Sequence, residues 1–486
     1  MSQINETAIR TPGVYTTEIP TLPPSVAQVS TAVPAFIGYT QKREDEDGNV
    51  IPAGTIKPIK IYSLAEYVQF FGLAENEATI TVTVLRSANV AAGPFNITGA
   101  TAAIAAPSPY NMYYSVRFYF ENGGGPCYIV SVGLTANPAN LVPGDLQNGL
   151  TALEAFDEPT LILFPEGINI PEANYYGLIS LAIDQCADLQ DRFTLVDVHT
   201  QFGTTNATMT NFRNPAVFNK STNLNYAAAY YPRLRTLFDY RYQDADVTVT
   251  VNDTIGNSNP PVVAAGPGGT LNNLLTTEGA IYYASKAAIR KLSPTLPPSP
   301  AMAGIYAKVD NSRGVWKAPA NVSVNSIYET TDFITDAEQA DMNIDATSSK
   351  SVNAIRAFNG KGILVWGART LDGNSSEWKF ISVRRLFITV EESAKKATFP
   401  FVFEPNDANT WVKVRAMLEN YLTLLWRQGA LAGAKAEHAF FVKCGLGTTM
   451  TSQDILDGKL IVEIGMAAVR PAEFIILRFM HKLQES

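Results

Sequence analysis

The residues that could do chemistry are few and poorly spaced for it. Three histidines (His199, His438, His481) and three cysteines (Cys127, Cys186, Cys444) are scattered along 486 residues. Metal centres draw their ligands at short, repeated intervals, and the chain has neither a CxxC pair nor an HExxH. Gly445-Leu446-Gly447 is a fragment of a dinucleotide fingerprint without its third glycine or the strand–turn–helix unit around it, so it reads as a tight turn. No GxSxG nucleophile elbow occurs. The acidic run Glu44-Asp45-Glu46-Asp47-Gly48-Asn49 lacks the alternation and closing glutamate of a calcium loop and reads as a solvated turn tip. Glu391 and Glu392 stand four residues before Lys395 and Lys396, a spacing that pairs them along one exposed helix face. We therefore expect no catalytic residue, cofactor or metal. The enzyme alternative would need an acid–base pair brought together in a pocket.

The elements available to position such residues belong to a mixed α/β chain. Apolar residues make up 46% of it, enough to bury cores and to exclude disorder. Charged residues are only 17%, below the roughly 25% of an average soluble domain, which fits a surface covered by partners. A net charge of −8 gives no bulk attraction for nucleic acid or anionic membrane. The N-terminus has no basic and apolar signal regions, and no apolar run reaches the roughly 20 residues of a spanning helix. A soluble product with reduced thiols, made in the cytoplasm, is expected.

Strand-like runs at Ala35–Tyr39, Cys127–Val132, Leu161–Pro165 and Phe193–Val198 alternate with helical stretches, one opening at Ser63 and one over 178–189. That rhythm predicts a largely parallel sheet. Two segments break it. Residues 87–116 carry no charge and read as an insertion or long loop, and 244–270 as a small β excursion. Helical spacing of Trp411, Val414, Leu418, Tyr421, Leu422 and Leu425, capped near Asp407 and stopped at Gly429, predicts an amphipathic helix. A strand is expected after it, over Leu460–Ile464.

Both ends read as strands without partners. Proline at 12, 20, 23, 24 and 34 makes the start an extended arm, within which Val14, Tyr15, Thr17 and Ile19 form a short β run. The run Phe474–Met480, with Phe474, Ile476 and Arg478 on one alternation, is almost wholly apolar and would aggregate if left uncovered. The expected division is 1–38 as arm and entry to the core, 39–350 as a middle α/β domain, and 351–486 as a C-terminal core ending in a donated strand.

Several ordered motifs together resemble the contractile tail sheath family: Thr11-Pro12-Gly13-Val14-Tyr15, Asn353-Ala354-Ile355-Arg356, Val365-Trp366-Gly367-Ala368-Arg369-Thr370, Val383-Arg384-Arg385-Leu386-Phe387, Phe403-Glu404-Pro405-Asn406-Asp407 and Pro471-Ala472-Glu473-Phe474. The resemblance implies a subunit that polymerises helically around an inner tube and contracts without nucleotide. Its core domain would line the tube, middle domains would decorate the outside, and terminal arms would be donated to neighbouring sheets. It implies further partners in baseplate and terminal cap proteins, with sister sheath subunits an open option, and no nucleic acid or membrane insertion. A core-domain helix touches the tube in that family, and the segment with Glu391, Glu392, Lys395 and Lys396 is the candidate. Such a subunit assembles in the bacterial cytoplasm, and its particle is a phage tail, a bacteriocin-like particle or a released extracellular injection system. The length and insertions favour the last. A non-contractile structural or surface-assembly protein is the alternative.

Overall fold

The computed structural model describes residues 26–88, 94–135, 141–255, 262–345 and 347–476. The chain forms two compact units. One gathers Thr389–Val469 with the described residues up to Val29; the other gathers Ser30–Ile388 with the described tail from Arg470. The boundary expected after residue 350 falls elsewhere for a simple reason. Val352–Phe358 is a strand of the larger unit's main sheet, so the break in packing comes only at 388, within the Ile381–Thr398 helix.

The main sheet has eight strands in the order Gly362–Val365, Val352–Phe358, Ala227–Tyr231, Phe193–Asp197, Leu161–Leu163, Pro34–Thr40, Cys127–Leu134 and Ile59–Ile61. The six inner strands are parallel, with Ala35 opposite Tyr128 and Leu195 opposite Ala228, and the outermost strand at each side runs antiparallel. Every residue of Pro34–Thr40, Leu161–Leu163, Phe193–Asp197 and Ala227–Tyr231 is buried, which requires cover on both faces. Helices Met112–Glu121, Pro143–Leu153, Glu172–Leu189 and Ser299–Arg313 supply it. The last is buried from Ser299 to Ala307, too apolar on all sides to show an amphipathic stripe. Beside it the buried Arg385 guanidinium grips Asp310 with both terminal nitrogens (3.0 and 2.5 Å), donates to the Thr31 carbonyl and stacks on Tyr306.

The uncharged 87–116 segment is not a loop. It holds the end of strand Ile80–Ala88, all of strand Asn96–Ile104 and half of the Met112–Glu121 helix. Its lack of charge has two causes. Met112, Tyr114 and Val116 belong to the main core, while Ala100 and Ala102 are small enough for a helix to close over their strand. The 244–270 excursion is β structure, as expected, and completes the same small domain. Thr248–Ile255 pairs parallel with Ile80–Ala88, from Thr248 opposite Thr81 to Ile255 opposite Ala88. Ile80, Val82 and Val84 alternate with exposed or half-buried neighbours and pack with Val249, Val251, Leu271 and Ile281.

One cross-strand pair ties these two sequence-distant strands: Arg86 donates to both Asp253 oxygens, at 2.8 and 2.9 Å, with both side chains buried. Removing one member of a buried pair leaves an uncompensated charge and costs about 3–5 kcal/mol. We predict that Asp253→Ala loosens only this small domain. Limited proteolysis should cut within 80–104 and 244–270 well before the large sheet opens; an unchanged digestion pattern would refute the assignment.

Candidate assembly interface

In the smaller unit, Asp407 caps the Ala408–Arg427 helix by accepting the Thr410 N–H at 3.0 Å, and Gly429, at φ 85°, ends it. Val414, Leu418, Tyr421, Leu422 and Leu425 form the buried stripe that the spacing predicts; Met417 joins it, while Trp411, expected on it, is only half-buried. Asn406 steadies the entry, accepting from the Trp411 indole at 2.6 Å and donating to the Lys459 carbonyl at 2.9 Å.

Next to this helix stands a two-stranded ribbon. Phe440–Lys443 runs antiparallel to Glu463–Met466, with Phe440 opposite Met466. The second strand begins three residues later than expected from Leu460: Gly458 turns at φ 73°, and the Ile461 carbonyl is taken by the Thr449 hydroxyl at 2.7 Å. Beyond the ribbon, Ala432 and Val469 exchange bonds with Ala467 and Ala430, which closes one short stretch of edge. Among the described residues no strand pairs with the outer edge of Phe440–Lys443 or of Glu463–Met466. A ribbon of two strands is marginal by itself, and its open edges are templates for further strands.

Of the strand-donation residues, Val14, Tyr15, Thr17, Ile19 and Arg478 lie outside the described residues. Phe474 and Ile476 are 68% and 77% exposed and take no partner strand among the described residues. The smaller unit carries other apolar surface that sequence reasoning misses: Phe399, Val402, Phe403 and Leu456 are all exposed. Phe403 also holds φ 70°, a conformation costly for a bulky side chain. The signal that could have found it is the density of aromatics in Phe399-Pro400-Phe401-Val402-Phe403.

The Glu391/Glu392/Lys395/Lys396 set needs correcting as a single exposed face. Glu391, Lys395 and Lys396 are exposed, but Glu392 is buried and takes both lysines, at 3.4 and 3.2 Å. Glu392 falls four residues after Ile388 and eleven after Ile381, on the helix's apolar stripe, and that register outweighs its charge.

Acid–base groups do converge elsewhere, at the C-terminal edge of the parallel sheet, where helix N-termini often hold anionic ligands. Here the chain fills those positions itself. Asp197, ending its strand, accepts the Ser299 N–H (2.8 Å) and hydroxyl (2.5 Å) at the start of one helix. Glu166 accepts the Met112 N–H (3.3 Å) at the start of another and the Tyr39 N–H (2.9 Å). A Cβ on Gly38 would sit 2.1 Å from Glu166 Oε2, so glycine is required there. Burial pushes Asp197 up to about 7 and Glu166 up to about 8, against hydrogen bonds that pull both down. His199 is engaged with the Ile170 carbonyl, and burial lowers its pKa. All three cysteines are buried free thiols. Among the described residues no group of three or more His, Cys, Asp or Glu is placed to hold a metal.

A family model described as the phage tail sheath C-terminal domain matches residues 374–481. The contracted sheath of an extracellular contractile injection system, PVC, is 30% identical over 98% of this chain and 99% of that one, with a TM-score of 0.62. The contracted helical sheath of the anti-feeding prophage is 31% identical over 98% and 100%, at 0.63. The chain belongs to the contractile sheath family. It is a structural sheath subunit of mixed α/β fold. The tail sheath protein of Vibrio phage KVP40 is 25% identical over 180 residues, and this match spans a quarter of that protein's length.

In this sheath subunit the buried carboxylates act on stability. Their folded pKa values lie above the unfolded ones near 4, so the folded chain holds extra protons between about pH 4 and 8. Their contribution is fully present below that window and is lost as pH rises through it. Glu166→Gln cannot accept at both ends, so it should unfold at a lower temperature than the parent at pH 5. The gap should narrow by pH 9; parallel pH curves would refute the assignment.

Proposed function

We propose that the chain polymerises helically around an inner tube and contracts to drive that tube through a target envelope. The observation that carries this is end-to-end similarity, at 30–31% identity, to two sheaths solved in the contracted state. Similarity, at 31% identity, to a chain of the anti-feeding prophage baseplate structure supports a baseplate as a second partner. Contraction is a switch between two lattices of the same subunit. The energy is stored at assembly, and a small gain in contact per subunit is repeated in every copy. Assembly in the bacterial cytoplasm and a terminal cap complete the proposal.

Strand donation is the proposed linkage. The ribbon's open edges ask for strands, and the exposed apolar tail from Phe474 offers one. The N-terminal run Val14–Ile19 is the other proposed donor. Lys395 and Lys396, exposed at the end of their helix, are the proposed tube-facing charges, since charge contacts at a wet surface are weak enough to release.

Expressed alone, the chain should form wide hollow tubes in negative-stain electron microscopy; tubes of one spacing with and without a tube protein would favour the non-contractile alternative. Deleting Thr11–Pro20, or everything after Pro471, should leave a folded chain that does not polymerise, and intact polymers from either would end the donation model. Lys395→Gln with Lys396→Gln removes both charges without setting carboxylates against Glu392. Glu392 loses both counter-charges, so the unfolding temperature should drop, and co-assembly with the tube, measured where the variant stays folded, should fall severalfold; undiminished co-assembly would remove these lysines from the tube contact.

A further inference from the structure

Three motifs far apart in sequence meet at one point of the larger unit. Asn353, buried in the Val352–Phe358 strand, accepts the Arg369 N–H through Oδ1 at 2.8 Å and donates through Nδ2 to the Arg369 carbonyl at 2.7 Å. Both backbone groups of Arg369 are thereby fixed to the main sheet by one side chain. Gly367, two residues earlier, lies so close to Asn353 that an added Cβ would come within 2.7 Å of its Oδ1. The buried Arg369 guanidinium then reaches the tail. Nε and Nη2 donate to the two Glu473 oxygens, at 2.9 and 2.6 Å, and Nη1 donates to the Gly373 carbonyl at 3.0 Å. This fork-on-fork geometry fixes direction as well as distance, which a lysine could not do.

Immediately after Glu473 the chain continues as the exposed apolar run Phe474-Ile475-Ile476. A mainly structural ion pair would be succeeded by chain that packs down. Here the chain is gripped at one residue and leaves the body at the next.

We infer that Arg369 and Glu473 are a clamp that anchors the donated C-terminal strand to its own subunit, with a second copy of this chain as the strand's acceptor. The inference rests on the strand-donation reading. The clamp sets where the strand leaves and in which direction, and it passes load from the tail through Arg369 and Asn353 into the main sheet. Arg369 and Glu473 are positioning residues, because neither touches the acceptor. A strand that starts from a fixed point loses less freedom on pairing, so its effective concentration at the acceptor is higher.

The test uses the full chain. Glu473→Gln leaves the buried Arg369 only its carbonyl partners, so the unfolding temperature should fall, yet the chain should stay folded at the assembly temperature while sedimentable polymer falls at least tenfold. Glu473→Asp, which keeps the carboxylate, should recover part of it. A chain ending at Pro471, run alongside, separates the two ideas. If that truncation abolishes polymer and Glu473→Gln matches the parent, the clamp is overturned and strand donation stands. If the truncation still polymerises, strand donation fails and takes the clamp with it. A loss of polymer seen only where the variant is itself unfolded would also overturn the clamp, reducing the pair to an ordinary structural contact.

Discussion

A strand edge carries backbone N–H and C=O groups that must bond to something, and among the described residues two such edges go unpaired on a ribbon of only two strands. Water can satisfy the groups, but it adds no packing, and a ribbon of that size holds together poorly by itself. Much of the remaining design answers that constraint. The Ala408–Arg427 helix lies against the ribbon and gives it an apolar backing, and the short exchange between 430–432 and 467–469 closes one stretch of edge. Among the described residues the rest stays unpaired. In the proposed linkage donor and acceptor would belong to one sequence, with the tail and the ribbon carried by different compact units. Open edges normally invite aggregation, and a protein whose role is to polymerise can direct that tendency to a chosen register.

The larger unit shows the opposite policy. Its six parallel strands are covered on both faces, and positions that in other α/β proteins receive a ligand are filled by Asp197 and Glu166. Each carboxylate bonds a helix N-terminus to its surroundings and so ties the sheet's C-terminal edge to the helices over it. The cost is two buried acids with raised pKa values, acceptable where rigidity is the aim. Polar chemistry serves to hold the body in one shape, as in the Arg385–Asp310 and Arg86–Asp253 pairs. A subunit that must transmit displacement gains from such a body, because slack inside it would absorb the motion.

Much of this is legible in the sequence, and the misses have physical causes. Four of the six parallel strands announce themselves as short apolar runs, while Ala227–Tyr231 and Val352–Phe358 do not, and the Ala408–Arg427 helix shows as a clean stripe with caps at both ends. Residues 87–116 mislead because absence of charge has two sources, burial and small side chains under a helix, and neither resembles an alternating strand. Nothing local in Ile80–Ala88 or Thr248–Ile255 says that they pair with each other across 167 residues, since parallel register is set by tertiary contact. Glu392 reads as exposed by its charge, while its helical register places it with Ile381 and Ile388. The break at 388 is invisible in the sequence because it falls inside a continuous helix.

The motifs that carry the family resemblance are legible as words but not as contacts. Asn353, Arg369 and Glu473 lie in three separate ones, and only the fold shows that the first fixes the backbone of the second and the second grips the third. Each residue type suits its step. An amide can accept and donate at once, which a carboxylate cannot, and this lets one side chain hold both the N–H and the carbonyl of Arg369. A guanidinium can meet two carboxylate oxygens while keeping a further donor for the Gly373 carbonyl. Replacing any of the three by a residue of similar size would break a geometric requirement without disturbing much apolar packing. Motifs of this kind fit a chain whose function is mechanical: they mark the joints between parts, where a catalytic protein's motifs would mark a site of reaction.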